Sequence, residues 1–124
     1  MKILADRDLP LVNELFSYFG DLILIPGRDI KNENLVDVDA LIVRSTTEVS
    51  KSLLTNTSLK FVGTATSGID HISTDELTER GIYFADAKGC NANAVSDYCL
   101  SAVASIFGEK ICAGQALKFG IIGN

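Results

Sequence analysis

The chain has 124 residues, 47% of them apolar and 22% charged, with a formal net charge of −5. That length suits one domain with a hydrophobic core, and the composition is ordinary for a globular protein. The acidic balance excludes the electrostatic footprint of a nucleic-acid binder and the basic patch that seeks anionic membranes.

At the start, Met1-Lys2-Ile3-Leu4 gives way at once to Ala5-Asp6-Arg7-Asp8, so no signal-peptide core is expected. Nor is a membrane span: the best candidate, Ala92 to Phe107, is interrupted by Asp97 and too short. Cys90, Cys99 and Cys112 are odd in number and lack metal-ligand spacing. They are expected to be buried or idle thiols of a cytoplasmic protein.

Short apolar runs alternate with helix-like segments. The runs are Ile3-Leu4-Ala5, Leu22-Ile23-Leu24-Ile25, Ala40-Leu41-Ile42-Val43, Phe61-Val62-Gly63 and Ile82-Tyr83-Phe84. Continuous runs of this length predict strands of a parallel sheet covered on both faces. After the first run, Asp8 is a candidate cap and Pro10 a helix opener, with Leu11, Leu15 and Phe19 at helical spacing and Gly20 as the stop. Asn32 to Val36 predicts a single turn. Ser50 is expected to cap a short helix ending at Leu54. Ser73 and Glu76 have capping-box spacing, and Gly81 closes their helix. A longer helix is predicted from Ala92 to Phe107, capped by Asn91 and ended by Gly108. Five such β–α units predict an α/β fold with a flavodoxin-like, doubly wound parallel sheet. Lys118 to Asn124 reads as a further strand running into Gly123, as a dinucleotide-binding unit opens.

Ligands of such sheets bind beyond the carboxyl ends of the strands. The third end, Arg44-Ser45-Thr46-Thr47, and the fourth, Thr64-Ala65-Thr66-Ser67-Gly68-Ile69-Asp70-His71, offer hydroxyls, free backbone N–H groups and one arginine. These suit a carboxylate or phosphate, although the same residues also serve as ordinary turns. His71 is the only histidine. With no carboxylate placed to orient it, packing or bonding to backbone is the expectation rather than base catalysis. Asp6 and Asp8 read more simply as caps than as metal ligands, and no metal site is expected.

Several stretches resemble the D-2-hydroxyacid dehydrogenases, and most closely their 4-phosphoerythronate branch. They are residues 1–6, Pro26-Gly27-Arg28, Asp39 to Val49, Phe61 to His71 and Gly89 to Val95. The resemblance implies an NAD-dependent oxidoreductase of pyridoxal phosphate (vitamin B6) biosynthesis, usually a homodimer. Its substrate would be the small anion 4-phosphoerythronate, and its product 2-oxo-3-hydroxy-4-phosphobutanoate. It implies substrate contacts from Ser45 and Thr66, a carboxylate-holding loop at Ser67 and Gly68, and Arg44 as an anion partner. Asn91 would border the cofactor cleft, and Gly123 would be the first glycine of the NAD fingerprint. The family's catalytic arginine, glutamate and histidine fall beyond residue 124, so no catalytic residue is expected in this chain. Asp97 stands where many relatives carry glutamate.

The expected organisation is therefore a flavodoxin-like substrate-binding domain over residues 1–90 and a crossing helix and linker over 91–117. Residues 118–124 would begin a truncated NAD-binding Rossmann domain. Two other readings stay open: another D-2-hydroxyacid dehydrogenase, or a non-catalytic binding module. A phosphoacceptor receiver domain needs an aspartate at the third strand end, where this chain has Arg44-Ser45.

Overall fold

The computed structural model describes residues 1–114 together with Ala116, Lys118 and Gly120. Gly123, and most of the strand expected over 118–124, lie outside the described residues. Two compact units are present, Met1–Gly89 and Cys90–Asn124.

In the first unit the five apolar runs become five strands: β1 Lys2–Asp6, β2 Asp21–Ile25, β3 Ala40–Val43, β4 Phe61–Thr64 and β5 Tyr83–Ala85. All neighbouring pairs are parallel, and the order is β2-β1-β3-β4-β5. This is the flavodoxin-like arrangement. The chain leaves β1 for one edge, returns, and continues from β3 toward the other. The direction of winding therefore reverses between β1 and β3, which opens a crevice at their carboxyl ends.

Alternation along each strand divides the core between the two faces. Leu4, Leu41, Val43 and Val62 face one layer, which holds Leu35, Val49, Leu54 and Leu77. Ile3, Ala5, Ala40 and Ile42 face the other, with Leu9 and Val12. Each fully buried leucine or isoleucine contributes roughly 1.5–3 kcal/mol. The central strands β1 and β3 are almost wholly buried, whereas the edge strands β2 and β5 keep partial exposure.

The helices depart from expectation in instructive ways. Helix α1 spans only Val12–Phe16 and passes into a 3₁₀ turn at Ser17–Phe19. Its buried stripe is Leu9 and Val12 with Phe16 behind them, so the predicted face of Leu11, Leu15 and Phe19 is solvent-exposed. Leu11 adopts a left-handed backbone (φ 57°) just before the helix. Asp8 does not cap α1; its carboxylate is taken by Arg44.

Helix α2 spans Lys51–Leu54 and α3 spans Thr74–Glu79. Ser50 and Ser73 occupy the positions before them, but neither side chain caps the helix. The Ser50 hydroxyl meets that of Ser52 instead. The Glu76 carboxylate is drawn away from the expected capping box by two cations, Lys51 at 2.9 Å and Arg80 at 3.3 Å. Gly81 does close α3, with φ 67°.

In the second unit, helix α4 spans Ala92–Cys112, running through Gly108 and ending before Gly114 at φ 71°. A single glycine costs a helix interior only about 1 kcal/mol, too little to stop one of this length. Cys90, Cys99 and Cys112, expected to be buried or idle, are all exposed in this segment. Among the described residues no helix is long and apolar enough to cross a membrane.

Candidate functional site

The crevice where the winding reverses is organised by Asp6, the last residue of β1, whose side chain has no solvent exposure. A buried carboxylate must have its lone pairs satisfied, and this one is. Its Oδ1 accepts the N–H groups of Asp8 (3.0 Å) and Gly27 (3.1 Å). Its Oδ2 accepts Nε–H of Arg44 (2.7 Å) and the Thr46 hydroxyl (3.3 Å). Burial pushes the Asp6 carboxyl up, but the Arg44 bond, the backbone donors and the guanidinium charge together outweigh it and hold the carboxyl below its ordinary value.

Gly27 lets this hub close. A Cβ there would stand 2.5 Å from both Asp6 Oδ2 and Thr46 Oγ1. The buried Thr47 hydroxyl donates to the Gly27 carbonyl at 2.8 Å. The ends of β1, β2 and β3 are thus stitched together around one carboxylate. Sequence reasoning left Asp6 as a cap; the clue to its larger role was an aspartate closing a continuous apolar strand, where burial follows from the fold.

Arg44 reaches both Asp6 and Asp8, the latter through Nη2 at 3.1 Å. Two carboxylates already share its charge, through Nε and Nη2. Beside it lies a cleft of about 460 Å³ lined by Arg28, Asp29, Asp8, Gly27 and Thr46. Arg28 is exposed, and among the described residues no carboxylate lies in ion-pair range of it. A second cavity of about 370 Å³, lined by Met1, Asp39 and Lys60, lies at the amino ends of the strands, away from the crevice.

The other half of the rim comes from β3 and β4. Val43 pairs with Thr64, and two residues beyond each lie Ser45 and Thr66. Ser45 is exposed and Thr66 half-buried, so neither is lost to the hydrophobic interior. The chain leaving β4 is pinned by Ala65 N–H to the Val43 carbonyl (3.0 Å) and by Ala87 N–H to the Thr66 carbonyl (3.2 Å). The Ser67 hydroxyl reaches the Ala87 carbonyl at 3.5 Å. The Thr66 hydroxyl donates to the Gly68 carbonyl at 2.9 Å and meets the Thr64 hydroxyl at 2.8 Å. Gly68 itself is exposed.

His71 lies behind this loop rather than on the rim. Its Nε2 is 3.0 Å from the Thr64 hydroxyl, and its carbonyl accepts Val49 N–H at 2.8 Å. Burial lowers the imidazole pKa by more than the nearby Asp70 charge raises it. Asn91 lies in the second unit, immediately before α4.

A profile of the family described as D-isomer specific 2-hydroxyacid dehydrogenase, catalytic domain, matches residues 6–118. The erythronate-4-phosphate dehydrogenase of Marinomonas sp. strain MWYL1 is 45% identical over 123 residues, which cover 99% of this chain and 32% of that protein. The enzyme of the same name from Yersinia pestis strain Pestoides F is 52% identical over 103 residues, or 83% of this chain and 28% of its own length. The chain therefore spans about a third of the length of these relatives. Among solved structures, D-lactate dehydrogenase from Aquifex aeolicus, complexed with NAD and lactic acid, superposes with a TM-score of 0.69 at 15% identity. The match covers 96% of this chain and 39% of that one. NAD+-bound 3-phosphoglycerate dehydrogenase from Entamoeba histolytica superposes with a TM-score of 0.68 at 23% identity, over 87% and 39% of the two chains. At these identities the superpositions establish the fold.

Proposed function

Because the chain belongs to the D-isomer-specific 2-hydroxyacid dehydrogenases, we propose that it forms the substrate-holding part of an NAD-dependent enzyme acting on 4-phosphoerythronate. The reaction is oxidation of the 2-hydroxyl to give 2-oxo-3-hydroxy-4-phosphobutanoate, a step of pyridoxal phosphate biosynthesis. The name shared by the relatives supports this substrate. The observation that carries the reading is the pairing of Val43 with Thr64, which sets Ser45 and Thr66 on adjacent strand ends at one rim.

Each end of the acid has a chemically suitable partner along that rim. The carboxylate sits against the backbone of the loop containing Ser67 and Gly68, where exposed N–H groups suit an anion. Ser45 and Thr66 bracket the middle of the molecule. The phosphate lies toward the cleft beside Arg44, where Thr46 offers a hydroxyl and Arg28 a guanidinium. Holding both ends fixes C2 in place, and positioning of this kind is itself a large part of catalysis.

NAD serves as hydride acceptor in this reading, with Asn91 bordering its cleft and Gly123, outside the described residues, as the first glycine of its fingerprint. This segment's part is to bind and orient the acid.

The test is an assay of the purified full-length gene product with NAD, following NADH formation. 4-Phosphoerythronate is expected to be turned over far better than unphosphorylated erythronate, D-lactate or 3-phosphoglycerate. Preference for one of the other acids would assign the chain to a different branch of the family. No turnover of any 2-hydroxy acid would leave a binding module.

A further inference from the structure

The hydroxyls and the imidazole behind the rim form a chain whose direction follows from counting protons. A threonine hydroxyl has one proton to donate. Thr66 gives its own to the Gly68 carbonyl, so in its contact with Thr64 it must accept. Thr64 has then spent its proton on Thr66, so in its contact with His71 it too must accept. The imidazole is therefore the donor, which fixes the proton on Nε2. The sequence is His71 Nε2–H to Thr64, Thr64 to Thr66, and Thr66 to the carbonyl of Gly68.

The last link orients a peptide group. No peptide bond in the chain is cis, and in a trans peptide the C=O and the following N–H point in opposite directions. With the Gly68 carbonyl held by Thr66, the Ile69 N–H is turned away from Thr66. Among the described residues neither Gly68 N–H nor Ile69 N–H has an acceptor. The far end of the loop is clamped independently, by Val49 N–H on the His71 carbonyl and Ser73 N–H on the Val49 carbonyl.

We propose that His71 is a positioning residue: through Thr64 and Thr66 it holds the Gly68 peptide so that the Ile69 N–H faces the substrate carboxylate. This rests on the reading of the rim as a 2-hydroxy-acid site. His71 touches no substrate in this role and moves no proton during the reaction. Its contribution is to supply the first donor of a chain in which the buried Thr64 hydroxyl would otherwise be free to turn its proton elsewhere. Loss of that donor leaves Thr64 free to reverse, and the Gly68 peptide is no longer held in one orientation.

The experiment uses the full-length gene product, wild type and three variants, with steady-state kinetics in 4-phosphoerythronate and in NAD. His71→Phe and Thr64→Val each interrupt the chain, and each is expected to raise KM for 4-phosphoerythronate up to about tenfold, on the order of the net worth of one neutral hydrogen bond. KM for NAD is expected to stay within twofold, again on the order of normal variation for a site not touched. His71→Gln offers an amide N–H to Thr64 and is expected to restore most of the affinity. Thr64→Val keeps the volume of the buried side chain, so it reports on the chain even if His71→Phe folds poorly. If both interrupting variants keep the wild-type KM for the acid, or if His71→Gln is as impaired as His71→Phe, the proposed role is overturned. A wild-type enzyme inactive on every 2-hydroxy acid would overturn the functional reading itself, and this role with it.

Discussion

The Nε of Arg44 lies 2.7 Å from Oδ2 of Asp6, a carboxylate that solvent does not reach. The pair joins β1 to β3 where the sheet reverses its winding, so it couples the fold to the geometry of the rim. Asp6→Asn preserves shape but removes the charge and can turn an amide donor toward a guanidinium donor. Because Arg44 retains partial exposure and Asp8, the loss is expected to be about 2–3 kcal/mol, below the roughly 3–5 kcal/mol of a fully buried pair. Urea denaturation measures it; a midpoint equal to wild type would mean the pair contributes nothing.

Gly27 is required by proximity. A methyl group would meet Asp6 Oδ2 and Thr46 Oγ1 at 2.5 Å, and Asp6 is held by four donors and cannot retreat. Gly27→Ala is expected to destabilise the fold by roughly 1–3 kcal/mol through overpacking. Thermal unfolding would show it as a lowered Tm, whereas an unchanged Tm would mean that the hub yields.

Acid should weaken the protein in a defined window. The Asp6 carboxyl is held below its ordinary value in the folded state, so its stabilisation is fully present above the unfolded carboxyl's pKa, about 3.9. It is lost as pH falls through the lower folded value. The His71 imidazole is also depressed, so the unfolded chain takes up its proton first. Stability therefore begins to fall as pH drops below about 6.5, the unfolded histidine value. Denaturation midpoints measured from pH 8 downward are expected to decline in two stages, the second smaller but still present in Asp6→Asn, because the Asp39 and Glu76 carboxyls are also held low, by Lys60 and by Lys51. A flat profile would contradict both assignments.

Arg28 lines the cleft beside Arg44 but has no carboxylate in ion-pair range among the described residues. Of the two arginines it is the one with its donors available. In the full-length gene product, Arg28→Ala is expected to raise KM for 4-phosphoerythronate roughly tenfold to a hundredfold, the value of a charge-assisted contact. Turnover of unphosphorylated erythronate should be unaffected. Equal losses with both acids would place Arg28 away from the phosphate.

The sheet was legible because burial on two faces imposes a pattern that local sequence cannot disguise. Leu41-Ile42-Val43 and Phe61-Val62-Gly63 name their strands. Helix boundaries and faces were less legible, since they depend on neighbours distant in sequence: Glu76 is diverted from its cap by Lys51, and α1 turns Val12, rather than Leu15, toward Ile3, Ala40 and Ile42 of the sheet. In the candidate site, Ser45 and Thr66 were visible as hydroxyls following paired strands. The Asp6 hub was not, because its partners Gly27, Arg44 and Thr46 come from two other strand ends. The His71 chain was hidden for the same reason, since Thr64 reads as the last residue of a strand until its side chain is placed.

The most direct test of this account is a crystal structure of the full-length gene product with 4-phosphoerythronate bound. The expected result has the acid's carboxylate on the backbone of residues 67–69, Ser45 and Thr66 within hydrogen-bond distance, and the phosphate beside Arg28. An acid seated away from the carboxyl ends of β3 and β4, with Ser45 and Thr66 making no contact to it, would contradict the central claim.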